Sequence, residues 1–183
     1  MKRVICCIIA ISVLFSFALS ESEIESQNIY ESDYAPVFLN SGHCVLMKDL
    51  NLEIWISDRQ YVYKEIEIPK ENHDNNTVHV FGSDDDTCAR IYVDRIETEL
   101  DFSAYLDEHK KLAIESKRGT PTPIILNGIP SVFYSYDNEQ GDTVMACDYY
   151  VEDHLVVKVY YTRAEGSMWS LAEFSLYSLR FPQ

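Results

Sequence analysis

Between Thr122 and Thr162 the chain reads as four strands separated by very little else, and this stretch constrains the fold more than any other part of the sequence. Thr122–Leu126 and Pro130–Tyr136 are apolar and β-branched or aromatic, and Asn127-Gly128-Ile129 lies between them. Asn-Gly supplies the positive backbone angles of a tight hairpin, so the two segments must be antiparallel neighbours. Thr143–Val151 and His154–Thr162 are rich in tyrosine and valine, and Glu152-Asp153 alone separates them, which predicts a second hairpin. The polar loop Asp137–Asp142 joins the pair.

A helix precedes this block. Asp101 is a good N-cap, and Phe102, Tyr105, Leu106, His109, Leu112 and Ala113 recur at spacings of three and four. Lys117 and Arg118 suit the negative end of the helix dipole, Gly119 suits a left-handed C-terminal residue, and Pro121 and Pro123 prevent continuation. A second helix is expected from about Ser167 to Leu179, with Met168, Leu171, Phe174 and Leu179 facing the same sheet. Ahead of the first helix, strand-like segments are His43–Met47, Leu52–Ile56, Tyr61–Ile68, Thr77–Phe81 and Cys88–Ile96. Alternation is clearest where Ala89, Ile91 and Val93 point one way and Arg90 and Tyr92 the other.

The N-terminus has the pattern of an export signal. Lys2 and Arg3 precede an uncharged run from Val4 to Leu19, and Ala18-Leu19-Ser20 offers a cleavage site ahead of Glu21. The run is short for a spanning helix and an acidic stretch follows it, so the expectation is residues 1–20 as a signal peptide and no membrane span after its removal. Residues 21–40, acidic and serine-rich, are expected to be a flexible exposed leader, and 41–183 a single α+β domain, secreted or periplasmic.

Charge removes several function classes. The signal holds two of the 15 basic residues and none of the 30 acidic ones, which leaves 13 against 30 and a charge of −17. Nucleic acid and anionic membrane surfaces repel such a protein. Cys44, Cys88 and Cys147 are too widely spaced for a zinc knuckle or a Cys-x-x-Cys pair, and are expected to behave as small buried apolar residues.

No motif carries chemistry. Asp84-Asp85-Asp86 is the densest carboxylate cluster, but an EF-hand counted from Asp84 would need glycine at Ala89 and glutamate at Arg95. None of His43, His73, His79, His109 and His154 belongs to a helical zinc pair. His109 is expected half-buried on the helix's apolar face, hydrogen-bonded to a neighbour, and His73 and His154 in loops or turns. Serine acyl-transfer motifs and phosphate-cradling glycine loops are absent. Hence no catalytic, metal-ligating or cofactor-binding residue is assigned. A small hydrolase with a noncanonical site and a calcium-stabilised surface module remain the alternatives to a binding module.

The excess is in tyrosine, 13 residues, with Tyr134, Tyr136, Tyr149, Tyr150, Tyr160 and Tyr161 on the last four strands. Ring faces left uncovered by the helices would form a platform for a glycan, peptide or apolar ligand, with Tyr134, Tyr136, Tyr149 and Tyr160 as the candidate surface. Asn75-Asn76-Thr77 is a glycosylation acceptor in a eukaryotic setting.

The order strands, helix, four strands, helix resembles the Mog1/PsbP-like fold, which includes the periplasmic DcrB family and many exported bacterial domains. The resemblance covers about Leu52 to Phe181 and is carried chiefly by Ile125-Leu126-Asn127-Gly128-Ile129-Pro130-Ser131-Val132-Phe133-Tyr134-Ser135-Tyr136, followed by Tyr149-Tyr150-Val151-Glu152-Asp153-His154-Leu155-Val156-Val157. It implies an α/β/α sandwich around an antiparallel sheet, used as a binding or assembly module. It implies a protein partner or small ligand and transfers no functional residue to a numbered position. A monomer is the expected state.

Overall fold

The computed structural model describes residues 24–58, 77–82, 89–116, 119–152, 154–163 and 169–183. The expected signal 1–20, the strand Tyr61–Ile68, His73, Asn75, Asp84–Asp86 and Cys88 lie outside the described residues.

The chain runs β1 (Ser26–Gln27), a 3-10 turn (Ile29–Glu31), α1 (Ala35–Leu39), β2 (Gly42–Met47), β3 (Leu52–Ser57), β4 (Thr77–Phe81), β5 (Ile91–Glu97), α2 (Phe102–Ser116), β6 (Thr122–Leu126), β7 (Ile129–Asp137), β8 (Thr143–Glu152), β9 (Leu155–Arg163) and α3 (Trp169–Leu176). It is a mixed α+β fold built on a large sheet that is antiparallel except at one edge. Among the described residues seven strands stand in the order β1-β6-β7-β8-β9-β5-β4, with β1 parallel to β6, while β2 and β3 form a separate antiparallel hairpin.

Strand periodicity divides the core in two. Along β8, Ala146 joins Val132, Tyr134, Val156 and Tyr105 beneath α2, whereas Cys147 and Tyr149 point the other way, into a cluster with Ile91, Val93, Val157, Val159 and Tyr161. That second face is covered by Leu52, Ile54 and Ile56 of β3 and by Ala172 and Leu176 of α3. Full burial of a leucine or isoleucine side chain contributes about 1.5–3 kcal/mol, so the β3 triad anchors the small hairpin on the large sheet. Among the described residues Trp55 is the largest fully buried side chain. Phe38 and Phe174 meet its ring edge-on, at centroid distances of 6.2 and 5.0 Å. A Cβ on Gly42 would come within 2.4 Å of the Trp55 ring, so only glycine lets β2 pass there.

Three expectations change. Residues 24–40 are not an exposed leader: Ser26 and Gln27 pair with Ile125 and Leu126, and Ile29 and Ala35 are buried. Ile29 and Ala35 of that acidic stretch reach the core, with Tyr30 and Phe38 packed against it, while Ile24, Tyr34, Val37 and Leu39 stay exposed; a compositional reading averages the two groups together. Gly119 does not take the left-handed conformation after α2; its backbone passes close to β7, where Gly119 N–H donates to Ser135 O at 2.8 Å and a Cβ would lie 2.7 Å from Ser135 Oγ, so that a larger residue would have to turn that hydroxyl aside. The last helix stops at Leu176 rather than Leu179 because side chains take its carbonyls. Tyr149 donates to Leu176 O (2.7 Å), and Asn127 Nδ2 donates to Tyr177 O (2.8 Å) and Leu179 O (2.9 Å).

Candidate functional site

On the α2 face of the sheet the pairing registers align Val132, Asp148, Lys158 and Asp94 across β7, β8, β9 and β5, and the next row is Tyr134, Ala146, Tyr160 and Tyr92. A charged row thus lies beside an aromatic one. Asp101 Oδ1 caps the helix, accepting from Ala104 N–H at 2.8 Å, and Phe102 packed edge-on against Tyr150 helps to set it over β8.

Beneath α2 the Asp148 carboxylate, 2 % exposed, accepts from Tyr105 OH at 2.7 Å and from Tyr134 OH at 3.2 Å. His109 Nε2 lies 3.2 Å from Asp148 Oδ2, and the imidazole rests between the Tyr105 and Tyr134 rings at 4.7 and 4.8 Å. The histidine is therefore nearly enclosed, within ion-pair distance of Asp148. Burial, reinforced by the negative Asp148, holds the Tyr105 and Tyr134 phenols protonated far above the ordinary tyrosine range. They serve Asp148 as neutral donors.

Outside this cluster, beyond the helix, three tyrosines surround one ammonium. Lys158 Nζ sits 4.8, 5.3 and 5.9 Å from the ring centroids of Tyr160, Tyr136 and Tyr134, within cation–π range, and 3.4 Å from Tyr136 OH. Tyr92 stacks on Tyr160 at 5.1 Å with 17° between planes. Tyr92, Tyr136, Lys158 and Tyr160 are half-buried and reach solvent together. Burial is the main cause, and Asp94 the second, of the upward shift of the Tyr160 phenol.

Of the four tyrosines expected to form a ligand surface, this face brings together three, Tyr134, Tyr136 and Tyr160, and only the last two reach solvent. Tyr149 does not belong to it. One residue of offset along β8 turns it into the opposite core, fully buried, with its hydroxyl on Leu176 O. Tyr92 and Lys158 were missed; the Tyr92–Tyr160 pair across β5 and β9 is set by long-range strand order.

Cys147 is fully buried, as expected, and burial, then Asp148, pushes its thiol well up. Cys44 departs from expectation. It is exposed on β2, with Arg180 Nη2 3.7 Å from its sulfur. An open recess of about 580 Å³ lies at the far end of the sheet, where Arg95, Glu97, Glu99, Glu152 and His154 converge. His154 is a turn residue with φ of 72°, its Nδ1 3.0 Å from Thr98 O, and it faces neither Asp148 nor Lys158. His43 and His79 pair with Asp58 and Asp49, far from any shared site. Among the described residues no group of three or more His, Cys, Asp or Glu side chains is placed to hold a metal ion, and no helix is long and apolar enough to cross a membrane.

No protein-family model matches the chain, and no curated protein matches it. Among solved structures, one from Bacteroides thetaiotaomicron is similar, at 9 % sequence identity and a TM-score of 0.48, over 78 % of this chain and 49 % of that one. The chain spans about half the length of that structure.

Proposed function

We propose that the chain is an exported, non-enzymatic binding module of the Mog1/PsbP-like kind, an α/β/α sandwich that engages a protein partner or small ligand outside the cytoplasm. The fold part is supported by the element order and by helices on both faces of the sheet, α2 on one and α3 on the other. The binding part rests on one observation: beside α2, the sheet presents Tyr136 and Tyr160 around Lys158, with Tyr92 stacked on Tyr160, instead of either a sealed apolar surface or a purely solvated one. Rings with a polar edge and an ammonium suit a ligand that has an apolar face and hydrogen-bonding rim, a glycan or a peptide. Lys158 is flanked by Asp148 and Asp94, so the patch offers no net positive charge to draw an anion.

The hydrolase alternative has one feature in its favour, the His109–Asp148 pair, but the imidazole is only 12 % exposed and the open recess lies elsewhere. Thermal unfolding with a panel of glycans and peptides, with and without calcium, separates the readings. A ligand binding only the folded state at a hundredfold over its Kd adds about 2.7 kcal/mol. The expected result is a shift that Tyr160→Ala and Lys158→Ala abolish. A shift indifferent to both variants removes the ring patch from consideration, and a hydrolytic activity lost in His109→Gln overturns the non-enzymatic reading.

A further inference from the structure

The β6–β7 turn sets a chemically labile step at the point where distant parts of the chain are tied together. Asn127-Gly128 is the single Asn-Gly step in the sequence. A glycine leaves its backbone nitrogen unhindered for attack on the preceding carboxamide, and Gly128 is exposed, with no atom within 4 Å of the point a Cβ would occupy. The Asn127 side chain is half-buried and fully engaged. Its Oδ1 accepts from Ile29 N–H at 3.1 Å, and its Nδ2 donates to Tyr177 O at 2.8 Å and to Leu179 O at 2.9 Å. The backbone N–H of the same residue donates to Gln27 O at 2.9 Å.

These partners demand an amide. One N–H donor faces Oδ1 and two carbonyl oxygens face Nδ2, so neither a flipped amide nor a carboxylate satisfies the set. A carboxylate in the same place would keep the bond from Ile29 and turn its second oxygen on two carbonyl oxygens, leaving both without their donor.

We infer that Asn127 is a deamidation site guarded by the fold, and that its conversion releases the 3-10 turn and the segment after α3 from the β6–β7 hairpin. The Gly128 backbone nitrogen attacks Asn127 Cγ, a new C–N bond forms, and the carboxamide nitrogen leaves as ammonia with its own two hydrogens and the proton from Gly128. Water then opens the five-membered imide at either carbonyl, giving aspartate or isoaspartate. In the folded chain the leaving nitrogen is bonded to two carbonyls, so the reaction belongs to molecules in which the hairpin and the segment after α3 have parted. The product cannot rebuild the original bonds. Isoaspartate also reroutes the backbone through Cβ and Cγ, which displaces the N–H that Gln27 O accepts. Each opening long enough to react is therefore recorded irreversibly.

The test ages the purified full chain in mildly alkaline buffer, folded and in urea, and maps deamidation by peptide mass spectrometry, with isoaspartate scored by an isoaspartate-specific methyltransferase. The expected result is conversion at Asn127 several-fold faster in urea than in the folded chain, and slowed in urea by Gly128→Ala, where turn strain no longer counts. The converted fraction of the aged wild type, and Asn127→Asp made directly, unfold at lower urea than the intact chain. Asn138→Asp is the control, because Asn138 Oδ1 accepts from Gln140 N–H at 3.0 Å and Asp142 N–H at 2.8 Å, bonds that a carboxylate keeps; its unfolding midpoint moves far less. The aged wild type gives the stability comparison in a chain that folded with its amide intact, so the outcome does not depend on the folding of Asn127→Asp. Conversion at Asn127 as fast in the folded chain as in urea, or a converted chain that unfolds like the unconverted one, overturns the proposal.

Discussion

Asp148 shows how much one residue holds when its neighbours are all buried. The carboxylate receives Tyr105 and Tyr134 hydroxyls and touches His109, so it fastens α2 to the sheet through polar bonds in an enclosed place. Asp148→Asn keeps the volume but weakens every acceptor bond and leaves buried hydroxyls poorly matched. It should cost about 2–3 kcal/mol in urea unfolding, whereas Tyr134→Phe, which removes one donor and leaves the carboxylate its others, should cost about 1 kcal/mol. The cysteines make a second contrast at this scale. In the folded protein a thiol reagent should modify Cys44, exposed on β2, and spare Cys147, whose thiol burial keeps protonated; site-mapped mass spectrometry reads this directly. The periodicity of β8 already separated Tyr149 from Tyr150, but which of the two faces is sealed was not legible in it, because that depends on what lies across the sheet.

Among the elements, the β6–β7 hairpin does more than its turn motif implies. Asn127 and Gly128 have φ of 50° and 85°, as an Asn-Gly hairpin requires. Asn127 also accepts from Ile29 N–H at 3.1 Å and donates to Tyr177 O and Leu179 O, joining the 3-10 turn Ile29–Glu31 to the segment just after α3. Asn127→Gly preserves the turn and deletes these bonds. It should therefore destabilise by about 2 kcal/mol or more, while a turn-only role predicts almost no loss. Asp101→Ala, at the start of α2, should cost about 1 kcal/mol through the lost cap, again by urea unfolding. Element positions were largely readable: Thr77–Phe81 and Thr122–Leu126 coincide with the strands observed, and Asp101 caps the helix it was expected to cap. The end of α3 was not, because distant side chains from β6–β7 and β8 terminate it.

For the molecule as a whole, the many buried phenols impose a pH limit. Burial raises the tyrosine hydroxyls of Tyr30, Tyr105, Tyr134, Tyr149, Tyr160 and Tyr177, so each is neutral in the folded chain where it ionises near pH 10 once unfolded. A folded-state value above the unfolded one means the native state binds the proton more tightly. That contribution is complete below pH 10 and is lost as pH rises beyond it, by up to about 1.4 kcal/mol per pH unit per group. Unfolding free energy should be flat in this respect at neutral pH and fall steeply above pH 10, with tyrosinate absorbance from these residues appearing together with loss of the fold. Titration in which they ionise independently of unfolding would refute their common burial.

The sequence by itself determined the local elements: two hairpins, a capped amphipathic helix and the alternation of each strand, since turn chemistry and periodicity act over a few residues. Tertiary structure alone decided which faces close. It drew Ile29 and Ala35 of an acidic stretch into the core, buried Tyr149 while leaving Tyr160 half open, exposed Cys44, and brought Tyr136 and Tyr160 to Lys158 with Tyr92 stacked on Tyr160, from three strands. Such outcomes depend on strand order and on what packs above each strand, long-range pairings that no local pattern encodes.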